Sequence, residues 1–296
     1  MFAAPFELVT RLIGFADTYA FFGLHLLLLV AVALAVCRRA GPWAAAVVVW
    51  WLDKPHTEIF IFAAIALALC WRDDRPGLGA VMMALAASQN LALAPILPLY
   101  VLAVLIRRGR RWLTARTIAA LALAAGIVAI HPLYYLLRLG VVDPQSLLGD
   151  QRFRIPGATK LFTPLVDPYL GLLPWWPALF ALVALAGAAG ARWARRQRWR
   201  PSARSVLPAA LVVLMALPAL FGAAQNLNSN HGATFSMSRY ATWVAPFAIP
   251  ALTWLRRWSN PLERSAVVGV ALASVVFSVA VANPARQEVP TIFRPT

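Results

Sequence analysis

The chain has 296 residues, 61% of them hydrophobic and only 13% charged, and its mean hydropathy is +0.70. Apolar runs recur along its whole length with no long polar block between them, which excludes a pair of soluble domains and points to a polytopic helical membrane protein. The net charge of +16 would suggest nucleic acid in a soluble protein, but these arginines cluster between apolar runs, where they read as topology signals.

Glu7, Arg11 and Asp17 come before the first apolar run, Tyr19–Val36, which ends at Arg38-Arg39 without a clear cleavage site. The start of the chain is therefore read as a membrane span and not as a signal peptide. Candidate membrane segments follow at about 18–36, 43–52, 57–71, 77–88, 91–106, 117–137, 171–190, 205–223, 239–255 and 264–282. The expected fold is all-α: an integral membrane bundle of about ten apolar segments in one transmembrane domain over residues 1–296. The four segments between 43 and 106 are shorter than the ~20 residues a full crossing needs. They are expected to form two hairpins with polar tips at Asp53–Glu58 and Ser88-Gln89-Asn90. Cys37 and Cys70 each stand beside arginine at the end of an apolar run, with no CxxC or Cys/His metal spacing. Both are read as membrane-interface residues outside any disulfide framework.

Charge bias orients these segments. If the turns at 38–39, 72–75, 107–116, 192–204 and 256–264 all face the cytoplasm, every segment alternates. Those turns then hold 18 of the 27 Lys and Arg and only three acids, Asp73, Asp74 and Glu263. The unusual polar groups all fall on the other face, in outer loops at 53–58, 88–90, 138–169 and 225–239.

Four loops converging on one face suggest a site. In Asp53-Lys54-Pro55-His56-Thr57-Glu58, Lys54 suits a phosphate, and His56 and Glu58 suit a proton or a cation; a solvated turn is the plainer alternative. The amides of Gln89 and Asn90 can bind sugar hydroxyls or cap helix ends. Arg152 and Arg154, two apart in an extended loop, would point the same way and suit a phosphate or anionic headgroups. The run from Gln225 to Tyr240 is the most polar in the chain. His231 there could act as a base or a ligand. Arg239 opens the next helix on the face where topology would not place an arginine, so it is read as a contact for substrate phosphate, with a snorkelling arginine as the alternative. His25 and His131 are read as packed helix residues. Trp50-Trp51 and Trp175-Trp176 are read as an interface belt. No Walker loop, HExxH, GxSxG or dinucleotide-binding glycine pattern is present.

The order of these features resembles the GT-C superfamily of multi-span glycosyltransferases. The similar residues are Leu52-Asp53-Lys54-Pro55-His56-Thr57-Glu58, Ser88-Gln89-Asn90, the run from Phe162 through Asp167-Pro168-Tyr169-Leu170-Gly171 to Trp175-Trp176-Pro177, and Asn230-His231-Gly232 leading to Ser238-Arg239-Tyr240. The likeness runs from about residue 18 to 255. It implies transfer of a sugar from a polyprenyl-phosphate carrier to an envelope acceptor, on the outer face of a bacterial inner membrane. Partners would be membrane lipid and the polyprenyl-linked sugar, with no nucleic acid. It implies no certain cofactor and leaves room for a divalent cation without naming its ligands. Family members carry a catalytic acid in a long loop between their first two helices. This chain is expected to begin where that loop ends: either it is a truncated member, or Glu7 or Asp17 substitutes for the family acid, or the protein does not catalyse; Asp17, His56 and Glu58 are its catalytic candidates. The alternatives are a transporter or flippase for a lipid or solute, and a non-catalytic subunit of an envelope assembly.

Overall fold

The structure is a computed structural model that describes residues 18–47, 57–142, 156–168, 171–198, 203–225 and 239–281. Among these residues every regular element is helical. In chain order the α-helices are α1 (Thr18–Ala40), α2 (Thr57–Trp71), α3 (Pro76–Gln89), α4 (Ile96–Arg108), α5 (Ala115–Leu139), α6 (Ala158–Val166), α7 (Leu172–Trp175), α8 (Pro177–Arg196), α9 (Ala203–Gln225), α10 (Ile249–Trp258) and α11 (Pro261–Val281). Short 3-10 turns at Pro42–Val47, Leu91–Leu93, Arg110–Trp112, Arg239–Trp243 and Ala245–Ala248 join or extend them.

Helix α2 is the axis of the bundle. Its sequence, TEIFIFAAIALALCW, is apolar on every side after the first turn, and a helix of that kind belongs in an interior. From Ile61 to Cys70 every residue is buried. One side of α2 (Ile59, Phe62, Ala66, Leu67) joins a core with α1, α8, α10 and α11. The other side (Ile61, Ile65, Ala68, Leu69) joins a second core with α3, α4 and α9. Its 15 residues rise about 22 Å, short of the ~30 Å hydrocarbon core, so its neighbours carry the membrane thickness.

Among the described residues five helices are long and apolar enough to cross a membrane: Gly23–Ala40, Leu91–Arg108, Ala115–Leu139, Pro177–Arg196 and Val206–Gln225. This is fewer than the ten segments expected, and proline accounts for part of the difference. Expected segment 239–255 is divided into two 3-10 turns and the ten-residue α10, with Pro246 and Pro250 each at the start of a new piece. Expected segment 171–190 is interrupted at Trp176, between α7 and the proline that opens α8.

Packing needs close approach at a few points. Helix α3 lies against α2 and α5, and Gly79 makes room there for the buried Tyr100 of α4, whose hydroxyl donates toward the carbonyls of Pro76 (3.3 Å) and Ala68 (3.4 Å). Trp175 and Trp176, expected in an interface belt, are buried in the core at 5% and 4% exposure. Trp176 meets Phe62 of α2 with ring centroids 6.5 Å apart. A tryptophan suits a core as well as a headgroup boundary, and here α7 is drawn inward between α6 and α8.

Candidate functional site

The two ends of the bundle differ in chemistry. At one end the basic turns are tied together by hydrogen bonds. Arg39, at the end of α1, donates to the Cys70 carbonyl (2.8 Å) and to Asp74 (2.8 Å), and stands 3.6 Å from Asp73. Arg107 pairs with Asp73 at 2.9 Å, and Arg108 donates to the Asp73 carbonyl. Arg256, on α10, donates to the Arg39 carbonyl at 2.9 Å. Arg192 of α8 pairs with Glu263 of α11. Glu263 also completes a capping box at the start of α11: its carboxylate accepts from the Asn260 N–H (3.1 Å) while its own N–H donates to the Asn260 side chain (2.9 Å). The turns at 38–39, 72–75, 107–116, 192–198 and 256–264 therefore share one end, as the charge bias requires. Arg72 sits inside this group. Burial pulls its guanidinium below the ordinary value, and Asp73, 3.7 Å away, acts against that shift.

The opposite end gathers the polar positions singled out in the sequence, as far as they are described. Glu58 lies in the first turn of α2, where a carboxylate is favoured by the helix dipole, and it is only 3% exposed. It is not unpartnered in that setting. Arg239 begins the 3-10 turn Arg239–Trp243, which packs against α2, α6 and the end of α9. Within that turn Thr242 is buried and Tyr240 stands edge-on to Trp243, centroids 4.9 Å apart. Asn90 ends α3 and starts the next turn, its side-chain oxygen accepting from the Ala92 N–H at 3.0 Å. Gln89 beside it is exposed. Gly222, one turn from the end of α9, touches both Trp243 and Ala92. Glu58, Asn90 and Arg239 thus sit on elements that meet at one end. Asp17, Lys54, His56, Arg152, Arg154 and His231, and with them Trp50 and Trp51, lie outside the described residues.

Asp167 caps α6, and its carbonyl accepts from the Gly171 N–H at 2.9 Å. A side chain at Gly171 would come within 2.5 Å of the Asp167 nitrogen, so Gly171 is held close against the end of α6. His25 is buried, and His131 packs edge-on to Tyr135 at 4.7 Å, as helix-packing histidines do. Cys37 and Cys70 are free thiols, Cys70 in the core and not at an interface. A wholly apolar recess opens between α2, α8 and residues 245–252, lined by Phe62, Trp176, Leu179 and Ile249 among others. It offers no polar group for a phosphate. Among the described residues no three His, Cys, Asp or Glu side chains come together as a metal site.

Sequence reasoning missed Trp243, Thr242 and Gly222. The signal for Gly222 was available, since a glycine inside an apolar span marks close helix approach. Among the described residues the fold is all-helical, with five helices long and apolar enough to cross a membrane. No protein-family model, curated protein or solved structure matches the chain.

Proposed function

We propose that the protein is a GT-C-like membrane glycosyltransferase that takes a sugar from a polyprenyl-phosphate donor and passes it to an envelope acceptor. Its site would lie on the periplasmic or outer face of an inner membrane, at the end of the bundle away from the arginine turns. The observation that carries this reading is the burial of Glu58 in the first turn of the central helix, with the Arg239 turn packed on the same helix. A carboxylate kept from bulk water beside an arginine-bearing turn suits a reaction in which one group takes a proton and another meets a leaving phosphate. The acceptor hydroxyl would attack the anomeric carbon, its proton passing to the carboxylate, while the bond from that carbon to the carrier phosphate breaks. The test is transfer from a radiolabelled polyprenyl-phosphate sugar by the purified full chain in lipid. Glu58→Gln should lower turnover by about a hundredfold or more, and Arg239→Gln should raise the donor KM. Turnover unchanged in both variants would end this reading.

A second reading, a transporter or flippase, is favoured by the two short helices α2 and α3, 15 and 14 residues long, since short or broken helices line midplane sites in transporters. Movement of a labelled lipid across proteoliposomes, without covalent change, would select it.

A further inference from the structure

We propose that the corner between α4 and α5, residues 107–116, is a binding site for the headgroup of an anionic phospholipid. This inference stands apart from glycosyl transfer and concerns the opposite end of the bundle. The structure sorts the five arginines of the corner into two sets. Arg107 and Arg108 are taken up by Asp73. Arg110, Arg111 and Arg116 are exposed, and among the described residues their side chains make no hydrogen bond or ion pair. Three like charges within seven positions repel one another unless an anion is shared between them.

The corner is also held in shape. Gly109 takes the left-handed φ of +68° that allows the chain to leave α4. Trp112 is buried at 5% exposure and anchors the 3-10 turn in the α2–α3–α4 core. Thr114 accepts from the Thr117 N–H at 3.3 Å and starts α5. Arg110 and Arg111 are thus carried on a turn anchored in the core, and Arg116 on the first turn of α5.

What selects a lipid over a free phosphate is the surface directly beyond the charges. Helix α5 buries only Thr117 and Ala124 against the protein. Ile118 and Leu123 on α5, Leu113 in the turn and Leu102 on α4 are all exposed. Because α5 is long and apolar enough to cross a membrane, its first residues stand at headgroup level with Leu113, and Ile118 and Leu123 beyond them lie where acyl chains run. Charge at the top of an apolar lane matches a phospholipid. The other unpaired cluster at this end, Arg195, Arg196 and Arg198, has no such lane: Val183 is the one large exposed apolar side chain on α8, well back from it.

The test uses the full chain in nanodiscs of equimolar phosphatidylglycerol and phosphatidylcholine, with retained lipids counted by native mass spectrometry. Unpaired cations at the surface imply a preference for phosphatidylglycerol on the order of tenfold at low salt. Arg110→Gln/Arg111→Gln/Arg116→Gln should abolish it. The triple lysine variant, which keeps the charge, and Arg195→Gln/Arg196→Gln/Arg198→Gln should each retain it. Equal retention of the two lipids by the wild type would overturn the proposal, as would a preference that survives in the triple glutamine variant. Displacement of the retained lipid by millimolar inorganic phosphate would also overturn it, because the ligand would then be a free anion.

Discussion

Gly222 leaves no room for a side chain against the indole of Trp243. A side chain at Gly222 would approach Cζ3 of that ring to 3.0 Å and the Ala92 methyl to 3.4 Å. Trp243 is 1% exposed and belongs to the core that α2 shares with α3, α4 and α9, so it has nowhere to retreat. Three elements of the candidate site, the turn after Asn90, the end of α9 and the Arg239 turn, meet at this contact. Gly222→Leu should overpack it and lower stability by about 1–3 kcal/mol, with Gly222→Ala nearer the lower figure. Thermal unfolding of the purified variants in detergent checks this. Full wild-type stability in Gly222→Leu would mean that the three elements do not meet as described.

Gly79 and Tyr100 form a second close contact, on the side of α3 facing α4. A Cβ on Gly79 would fall inside the Tyr100 hydroxyl and 2.8 Å from its Cζ. That hydroxyl is hydrogen-bonded to two carbonyls and buried, so it cannot swing away at low cost. Gly79→Ala is expected to cost about 2 kcal/mol or more. The cost should fall in a Tyr100→Leu background, which frees the space, and a double-mutant cycle measures that coupling. Strict additivity of the two changes would refute the contact.

Asn90 was open to two readings, sugar contact or helix cap, and its geometry favours the cap for the side-chain oxygen. Asn90→Ala should therefore destabilise by about 1 kcal/mol, while Asn90→Asp, which keeps an acceptor, should cost little. Both are read by thermal unfolding. If Asn90→Ala leaves stability untouched but removes activity, the side chain serves a substrate and not the backbone.

Much of the helix pattern was legible in the residues. Segment 57–71 coincides with α2, since nothing polar interrupts the apolar run between Glu58 and Trp71, and segment 77–88 falls inside α3. The shared end of the basic turns was legible too, because charge bias acts on every turn at once. What was not legible depends on distance in the chain. Arg39 meets Asp73 and Asp74 across more than thirty residues, and no local pattern says which of the 27 bases will find the three acids of that face. The inward turn of Trp175 and Trp176 is of the same kind, since the neighbours that cover them come from α2, α8 and α10. At the candidate site the sequence singled out Glu58, Asn90 and Arg239, whose elements meet at one end; the rest of the loops named with them lies largely outside the described residues. The sequence did not indicate that the contact between those elements is built on a glycine and a buried tryptophan.

Asp73 offers the sharpest test of the basic end. One carboxylate lies within 4 Å of three guanidinium groups, those of Arg39 (3.6 Å), Arg72 (3.7 Å) and Arg107 (2.9 Å). Removing its charge leaves three cations facing one another, which is worse than the loss of any one pair. The side chain is a third exposed, so water and salt screen part of the effect. Asp73→Asn should lower stability by about 1–2 kcal/mol at low ionic strength. Asp74→Asn should cost less, because Asp74 is the more exposed acid and pairs with Arg39 alone. Raising salt should narrow the gap between Asp73→Asn and wild type, as repulsion among the three arginines is screened. Thermal unfolding at low and high salt reads both effects. If Asp74→Asn is the more damaging variant, Asp73 does not hold α1, α4 and the 72–75 turn together.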